Sequence, residues 1–480
     1  MRKHASLALA LAAVLAASGC ATLVPATPAP QAGIPAQWPI PATTAGAADA
    51  AGADAPTVVA ADIGWRDFFT DPRLDEVIGL ALDNNRDLRV AILNVERARA
   101  QYRIQRADRV PGFGVSGQME RVGGDMPVSE QYTAGLGMAA FELDLFGRVR
   151  NLGQAALQQY LATAESQRSA QLALVAEVAQ AWLTLAADRE QLAIAEATLE
   201  TRGESMRLAQ AQFDIGAVPQ LAVDQARTQV ESTRVEVARL KGQVARDRNA
   251  LDLLAGTRLE ERLLPERMVG EVAGLAAVPA GLPAEVLLRR PDIIAAEHRL
   301  LGASASIGAA RAAFFPSIRL TGSIGSASTE LSDLFESGTR VWSFIPQINL
   351  PIFQGGRLKA ALGMANADRD IALARYEGAI QAGFREVADA LAMAQTLAEQ
   401  LRAAEALLDA ATSAEHLAEL RYQRGLDSNL VRLDAQRSLY AAQQQVVALR
   451  MAEQANRVTL YKALGGGWPA AGRQVATTGR

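Results

Sequence analysis

The chain has 480 residues, of which 50% are hydrophobic and only 5% aromatic, and its 48 basic residues nearly balance its 52 acidic residues. A net charge of −4 gives no electrostatic basis for nucleic-acid binding. The length allows two or three domains or one large duplicated unit. After the N-terminal segment no run approaches the ~18 apolar residues of a transmembrane helix, so only strands could cross a membrane.

The chain begins like a secretory signal that ends at a cysteine. A basic start at 2–4 precedes an apolar run at 5–17, and Ser18 and Gly19 supply small side chains before Cys20, the only cysteine. The run is shorter than the ~20 residues that span a bilayer. Its small–small–Cys ending resembles a bacterial lipobox, which predicts lipidation of Cys20, whereas the alternative is an ordinary signal peptide with an incidental cysteine.

The rest of the chain contains a two-fold internal duplication. Landmarks recur in one order, with an offset that drifts from 205 to 210: Asp87 and Asp292, Arg106 and Arg311, Pro111 and Pro316, Phe146 and Phe353, Phe213 and Tyr422, Gly216 and Gly425, Leu254 and Leu464, Gly256 and Gly466. This period is far too long for a solenoid. The predicted organisation is a signal peptide at 1–19, a leader at 20–61, a first repeat at 62–265, a connecting segment at 266–290, a second repeat at 291–468 and a tail at 469–480.

Each repeat opens with one helix, at 75–108 and at 292–313, which a following proline ends. Two strand-like segments around a polar, glycine-containing tip come next. The predicted strands are 113–120 and 132–143 in the first repeat and 318–324 and 341–352 in the second. From Trp342 onward, side chains alternate between apolar and polar or small, which is the period of a strand with two different faces.

Two long proline-free helices complete each repeat. They are predicted at 152–213 and 221–254, and again at 358–422 and 429–464. Good helix formers dominate them, and the first would measure ~90 Å at ~1.5 Å per residue. Helices of this length must pack in antiparallel pairs, and taken alone they favour a solvated coiled-coil spacer.

The strands change that interpretation. Aromatic residues lie near their ends, as in transmembrane barrel strands: Phe113, Tyr132, Phe141, Phe314, Phe315, Trp342 and Phe344. Four strands cannot close a barrel, which needs at least ~8, and an open edge cannot face lipid. The chain therefore forms either an oligomer, with about 12 strands in a trimer, or a soluble sheet.

Five segments, at 65–91, 278–293, 351–357, 433–440 and 460–468, resemble the TolC-like outer-membrane factors. More narrowly, they resemble the lipoprotein exit ducts of resistance–nodulation–division efflux pumps, and the likeness covers residues 62–468. It implies a mixed α and β fold: a homotrimer with a twelve-stranded transmembrane β-barrel, four strands per chain, continuous with a periplasmic α-helical barrel. It also implies a passive exit duct for drugs or other small solutes that docks to a periplasmic adaptor and an inner-membrane pump. The alternative is a lipid-anchored periplasmic scaffold without a pore.

The same resemblance gives Cys20 a role. Its acyl chains would anchor each protomer in the outer membrane, and several chains per trimer would hold more firmly than one. Residues 25–56 are then expected to be a flexible Ala/Pro/Thr leader between the lipid and the fold.

The family resemblance also implies a gate at the periplasmic end, at Tyr422, Leu430, Asp434 and Arg437. The spacing places the last three on one helix face, and three copies of Asp434 would form an acidic ring. Arg437 would pair with a neighbouring carboxylate that the sequence does not identify. The alternative is that Asp434 and Arg437 form a surface pair worth ~0.2–0.5 kcal/mol.

The first repeat departs from the family pattern at Ala222, where an aspartate is common, and Asp214 or Asp224 is expected to compensate. Pro219 fits the first turn of a helix. Gly216 and Gly425 end the long helices, where glycine adopts the left-handed cap conformation; the resemblance implies that these turns face the adaptor.

Nothing indicates an enzyme, a cofactor or a metal site. His4 belongs to the signal, while His298 and His416 lie on predicted helices without ligand partners nearby. The glycine-containing segments match no phosphate-binding loop, and no Ser/His/Asp set stands out.

Overall fold

The computed structural model describes residues 23–36, 38, 63–268, 272 and 284–466. The elements in these ranges are α1 Trp65–Phe68, α2 Pro72–Asn84, α3 Arg86–Ala107, β1 Phe113–Val122, β2 Ser129–Leu143, α4 Arg148–Asp214, α5 Gln220–Ala255, α6 Pro291–Ala312, β3 Ser317–Ser328, β4 Arg340–Asn349, α7 Arg357–Gln423 and α8 Asn429–Ala463, with 3-10 turns at Glu261–Leu263 and Ala284–Arg289. The predicted signal peptide, Cys20 and the tail at 469–480 lie outside the described residues.

The element order repeats along the chain. The series α3–β1–β2–α4–α5 recurs as α6–β3–β4–α7–α8. Helices α4 and α7 have 67 residues each, and α3 and α6 have 22 each. The long helices and the strands thus form where the sequence predicts them, while the repeat boundaries at 62–265 and 291–468 stay a prediction.

The first helical segment differs from the prediction of one helix at 75–108, which is wrong because the helix breaks at Asn85. The Asn85 Nδ2 donates to the Leu254 carbonyl at 3.0 Å, and its Oδ1 accepts from the Leu88 backbone N–H at 2.9 Å. This second bond caps α3 in the manner typical of asparagine at a helix start. Two short helices, α2 and α3, therefore replace the single one.

The chain divides into two compact units. The sheet unit comprises residues up to 32, 92–166 and 292–379, and the helical unit comprises 33–91, 167–291 and residues from 380 onward. The sheet unit contains all four strands, and the candidate gate residues belong to the helical unit.

The sheet is antiparallel with strand order β1–β2–β3–β4. Register places apolar side chains in line across all four strands: Phe113, Val115, Met119, Leu136, Met138, Phe141, Leu320, Ile324, Trp342 and Phe344. The opposite face carries mostly small and polar side chains: Ser116, Gln118, Thr133, Glu142, Arg319, Thr321, Ser323, Ser343 and Gln347. Its apolar exceptions on β4 are Val341 and Ile345. The predicted two-faced alternation is confirmed.

A β-bulge keeps the apolar face continuous along β2. The register shifts between Met138 and Phe141, so three steps on β2 match two on β3. Ala140 adopts a φ of 48°, and its N–H donates to the Thr321 Oγ1 at 3.2 Å. If the same residues formed a regular strand without the bulge, Phe141 would point to the polar face and Glu142 to the apolar face.

The leader is held against the folded chain where it is described, so the prediction of a flexible segment at 25–56 is wrong for residues 25–36 and 38. In the sheet unit, the Leu23 carbonyl accepts from Arg311 at 3.1 Å, and the Gln31 N–H donates to Glu377 at 2.8 Å. In the helical unit, Trp38 is buried. Its ring stacks on Phe384 with centroids 5.5 Å apart, and its Nε1 donates to the Phe384 carbonyl.

The core of the helical unit is built around large buried aromatic residues. Phe68 stacks on Tyr461 at 4.0 Å, the Tyr461 hydroxyl donates to the Ile63 carbonyl at 2.7 Å, and the Trp182 Nε1 donates to the Leu263 carbonyl at 3.2 Å. One window of α4 is long and apolar enough to cross a membrane by length and composition alone, but 56% of it is buried within the chain. The apolar character of this segment of α4 is explained by its packing in the core of the helical unit.

Candidate functional site

The two faces of the sheet have the chemistry of a channel wall. The apolar face is uncovered within the chain: Trp342 is 77% exposed and Val115 is 85% exposed. A sheet with one apolar and one polar face fits lipid on one side and water on the other. Strands β1 and β4 each lack a second neighbour within the described chain, so both outer edges carry unpaired backbone groups.

An open cavity of about 330 Å³ lies where the strands meet the long helices. Glu142 accepts two hydrogen bonds from Arg148, both 2.8 Å long, and Arg319 lies 3.9 Å from the same carboxylate. Asp144 caps α4 by accepting from the Val149 and Arg150 N–H groups at 3.0 and 2.7 Å. This junction is thus charged and fixed in geometry.

The two helical pairs turn in the same way. Gly216 and Gly425 have φ values of 74° and 70°, which confirms the predicted left-handed cap conformation. At the first turn the N–H groups of Gly216 and Ala217 donate to Phe213 and Gln212. At the second turn those of Gly425 and Leu426 donate to Tyr422 and Arg421. Both are Schellman caps that reverse the chain.

The predicted gate residues lie at and beyond the second turn. Leu430, Asp434 and Arg437 all lie on α8 and are exposed. Asp434 and Arg437 form an ion pair with each other, with side chains 66% and 54% exposed. The hydroxyl of Tyr422 donates to Gln212 at 3.4 Å and thereby contacts the first turn. Within one chain, Asp434 and Arg437 therefore form the (i, i+3) pair that the spacing allows.

The two carboxylates considered as replacements at the first turn bond within their own helices. Asp214 accepts from Gln210 at 2.9 Å, and Asp224 accepts from Gln220 at 3.1 Å. Pro219 occupies the N-cap position of α5, one residue before the first turn.

A buried arginine at the second turn was missed by the sequence analysis. Arg432 is 3% exposed. Its guanidinium lies 4.4 Å from the Tyr422 ring centroid, donates to Asn429 at 2.9 and 3.1 Å and approaches Glu419 at 3.4 Å. The spacing along α8 could have indicated this burial. Arg432 lies seven residues before Leu439 and fourteen before the buried Val446, and therefore on the same face of the helix.

A second buried arginine, Arg202 on α4, was also missed. Its guanidinium donates to the Thr233 Oγ1 at 2.6 Å and to the Gln229 carbonyl at 3.5 Å, and it lies 5.6 Å from the Tyr440 ring on α8. Burial, together with the nearby charge of Arg437, lowers the pKa of Arg202. Arg432 thus lies on α8, and Arg202 contacts α8 from α4.

Two carboxyl groups approach each other between α4 and α5. Burial raises the pKa of Asp188 to about 6, and a hydrogen bond and charge repulsion from Asp247 act in the same direction. Gln243 donates to one oxygen of Asp247, and the other oxygen is buried without a donor. Asp188 therefore keeps its proton to a higher pH than a free aspartate does.

His298 has a structural role. Its Nδ1 lies 2.7 Å from the Gln158 Oε1 in the sheet unit. Within residues 23–36, 38, 63–268, 272 and 284–466, no group of three or more His, Cys, Asp or Glu side chains could hold a metal ion.

Comparisons with known proteins agree with this architecture. The family model described as "Outer membrane efflux protein" matches residues 77–257 and 282–466. The antibiotic efflux pump outer membrane protein ArpC of Pseudomonas putida is 47% identical over 96% of this chain and 95% of its own length. The toluene efflux pump outer membrane protein TtgC, from the same species, shows the same identity and coverage. The open state of the Neisseria gonorrhoeae MtrE outer membrane channel superimposes with a TM-score of 0.84 at 38% identity, covering 93% of this chain and 98% of MtrE.

Proposed function

Because the chain belongs to the outer membrane efflux protein family and is an outer-membrane efflux channel rather than an enzyme, we propose that it works as a homotrimer. The trimer forms a passive duct through which small organic solutes leave the cell. Two relatives are named for antibiotic and toluene efflux, which favours apolar and amphipathic compounds as the exported class.

The open four-stranded sheet carries this proposal. Its apolar face needs lipid, while its unpaired edges at β1 and β4 cannot face lipid because the backbone groups would lose their hydrogen bonds. Pairing β4 of one copy with β1 of the next satisfies both requirements. Three copies supply 12 strands, which exceeds the smallest closed barrel of ~8.

We propose that the exposed face of α8 is the gate. Three copies of Leu430 would form an apolar ring, and three Asp434–Arg437 pairs would form a charged ring next to it. Exposure of all three side chains in the single chain supports this role, because a surface used only for intrachain packing would be buried.

The remaining partners follow from the same proposal. The turns at Gly216 and Gly425 would dock to a periplasmic adaptor, which links the duct to an inner-membrane pump that supplies the energy. Lipid on Cys20 would anchor each protomer. The contact of Leu23 with Arg311 supports this anchoring, since α6 ends shortly before β3 begins.

The native mass of the detergent-extracted mature protein tests assembly and lipidation together. The expected mass is that of three subunits, each beginning at Cys20 and carrying acyl chains, and Cys20→Ser should abolish the lipid mass. A stable monomer that stays in solution without detergent would overturn the trimeric barrel.

Ion current through trimers in planar bilayers tests the gate. The double substitution Asp434→Ala/Arg437→Ala should raise the current several-fold, because it removes the charged ring. The matched control is Arg385→Ala/Asp389→Ala, an exposed pair on α7 with the same charges, which should leave the current unchanged. Trimers that carry no current in any form would instead support the periplasmic scaffold without a pore.

A further inference from the structure

Helix α8 carries the proposed gate face, and a buried arginine links it to a neighbouring helix on each of two sides. Arg432 extends from α8 toward α7, and Arg202 extends from α4 toward α8. They are 3% and 7% exposed, whereas the gate residues Asp434 and Arg437 are exposed. Two desolvated cations beside a solvated gate face need an explanation beyond general packing, because burying a charge is costly.

On the side facing α7, the guanidinium group of Arg432 has several partners. It stacks on Tyr422, bonds Asn429 within its own helix and approaches Glu419 on α7. A guanidinium is planar and can stack and donate at the same time. These contacts fasten the first turns of α8 to the end of α7, so the two helix ends should move together.

On the other side, Arg202 is held by the first helical pair. Thr233 and Gln229, both on α5, accept its hydrogen bonds, and none of its acceptors in the described chain is a carboxylate. What it offers to α8 is the stack on Tyr440, one helical turn after Arg437. A cation–aromatic contact is strongest where water is excluded, so this stack is a restraint that is lost once α8 shifts.

We propose that Arg202 and Arg432 are positioning residues for the gate: Arg432 makes the α7–α8 pair one rigid body, and Arg202 holds that body against α4 and α5. This inference rests on the proposed gate function. Opening would then require the Arg202–Tyr440 stack to break, whereas the Arg432–Tyr422 stack would persist.

The test compares Arg202→Met and Arg432→Leu with Arg450→Met. Arg450 is the matched control, because it also lies on α8 and bonds Glu405 on α7 at 3.0 Å, but at an exposed site. Purified trimers are assayed for ion current in planar bilayers and for resistance to heat in detergent. Arg202→Met should raise the current several-fold at unchanged heat resistance, and Arg450→Met should change neither.

Two further variants separate positioning from mere stability. The double variant Arg202→Met/Tyr440→Leu should raise the current no further than Arg202→Met alone, because the two substitutions remove the same contact between Arg202 and Tyr440. Arg432→Lys keeps the charge but loses the planar stack, so it should give an increase between wild type and Arg432→Leu. If Arg432→Leu fails to assemble into trimers, the currents of Arg432→Lys and of the Arg202 variants decide the outcome.

The outcomes distinguish this inference from the gate itself. If Asp434→Ala/Arg437→Ala raises the current while Arg202→Met and Arg432→Lys leave it at the wild-type level, the two arginines are structural only and this inference is overturned. If the Asp434→Ala/Arg437→Ala variant also leaves the current unchanged, the gate on α8 is overturned as well.

Discussion

The two helical turns share a backbone and differ in their side chains. Gly216 and Gly425 close matching Schellman caps, and the helices on either side begin and end at corresponding positions. With the offset of 209 that relates these glycines, the buried Val223 corresponds to the buried Arg432. By the same offset, Phe213 corresponds to Tyr422.

Two further differences run in the opposite direction, with the charged residue in the first copy. Arg202 corresponds to the buried Ala411, and Asp188 corresponds to the buried Leu397. Each copy therefore keeps its backbone but carries a charged residue where the other has an apolar one, at the buried positions 202 and 432 and at the half-buried position 188. The two copies share their backbone geometry because they arose by duplication. Their charged side chains below the surface differ, which indicates that the two copies have different tasks.

The largest expected effect comes from forcing the second copy's charge into the first. Val223→Arg would bury a guanidinium with Phe213 in place of a tyrosine and with the neutral Gln210 in place of Glu419. An uncompensated buried charge costs about 3 kcal/mol or more, so trimer yield and thermal stability should fall sharply. Leu221→Arg, at an exposed site on the same helix, should have little effect. Normal stability of Val223→Arg would show that the two buried positions are interchangeable.

Substituting alanine at Gly216 or at Gly425 should destabilise the protein less than Val223→Arg does, and by the same amount at both positions. Nothing lies within 4 Å of a Cβ added at Gly216 or Gly425, so alanine would meet only the strain of the left-handed backbone. Each substitution should cost about 1 kcal/mol in unfolding measurements. Gly378→Ala, at an open position within α7, should instead be neutral or slightly stabilising. Clearly unequal losses at the two turns would contradict a shared backbone role.

The smallest effect concerns the carboxyl pair that only the first copy has. Because the pKa of Asp188 is raised to about 6, the folded chain binds more protons than the unfolded chain between about pH 4 and pH 6. Stability should therefore fall as pH rises through this window, and the loss is complete above pH 6.

Asp188→Asn mimics the protonated acid and should remove this pH dependence. At neutral pH it should stabilise by less than about 1 kcal/mol, after allowance for partial solvent screening. Melting temperature measured from pH 4 to pH 7 checks the prediction, with the exposed Asp409→Asn as control. A melting temperature that falls with rising pH just as steeply in Asp188→Asn would remove Asp188 as the cause.

The sequence predicts the element order and the caps because these depend on local chemistry. Pro111 and Pro316 must follow helix ends, and glycine is favoured where φ is positive. The break at Asn85 was missed because its main partner is the carbonyl of Leu254, 169 residues away. The bulge at Ala140 was missed for a similar reason, since only pairing with β3 reveals the extra residue.

The candidate gate was predicted less completely than the fold. The spacing of Leu430, Asp434 and Arg437 places them correctly on one exposed face. Arg432 and Arg202 were not predicted to be buried, because charged residues on long helices are usually solvated. Their burial depends on which tyrosine a neighbouring helix presents, and that depends on tertiary packing rather than on local sequence.

The equal length of α4 and α7 has a consequence for engineering the protein. The offset between the copies grows from 205 at the prolines to 209 at the start of these helices, so length changes have accumulated around the hairpins and not within the helices. The tips at 123–128 and 329–339 should accept epitope tags or fluorophore sites of varied size. An insertion inside α4 or α7 would rotate every later side chain around the helix axis and so change its contacts. We expect an insertion to be tolerated only if it adds whole helical turns and is made in both copies.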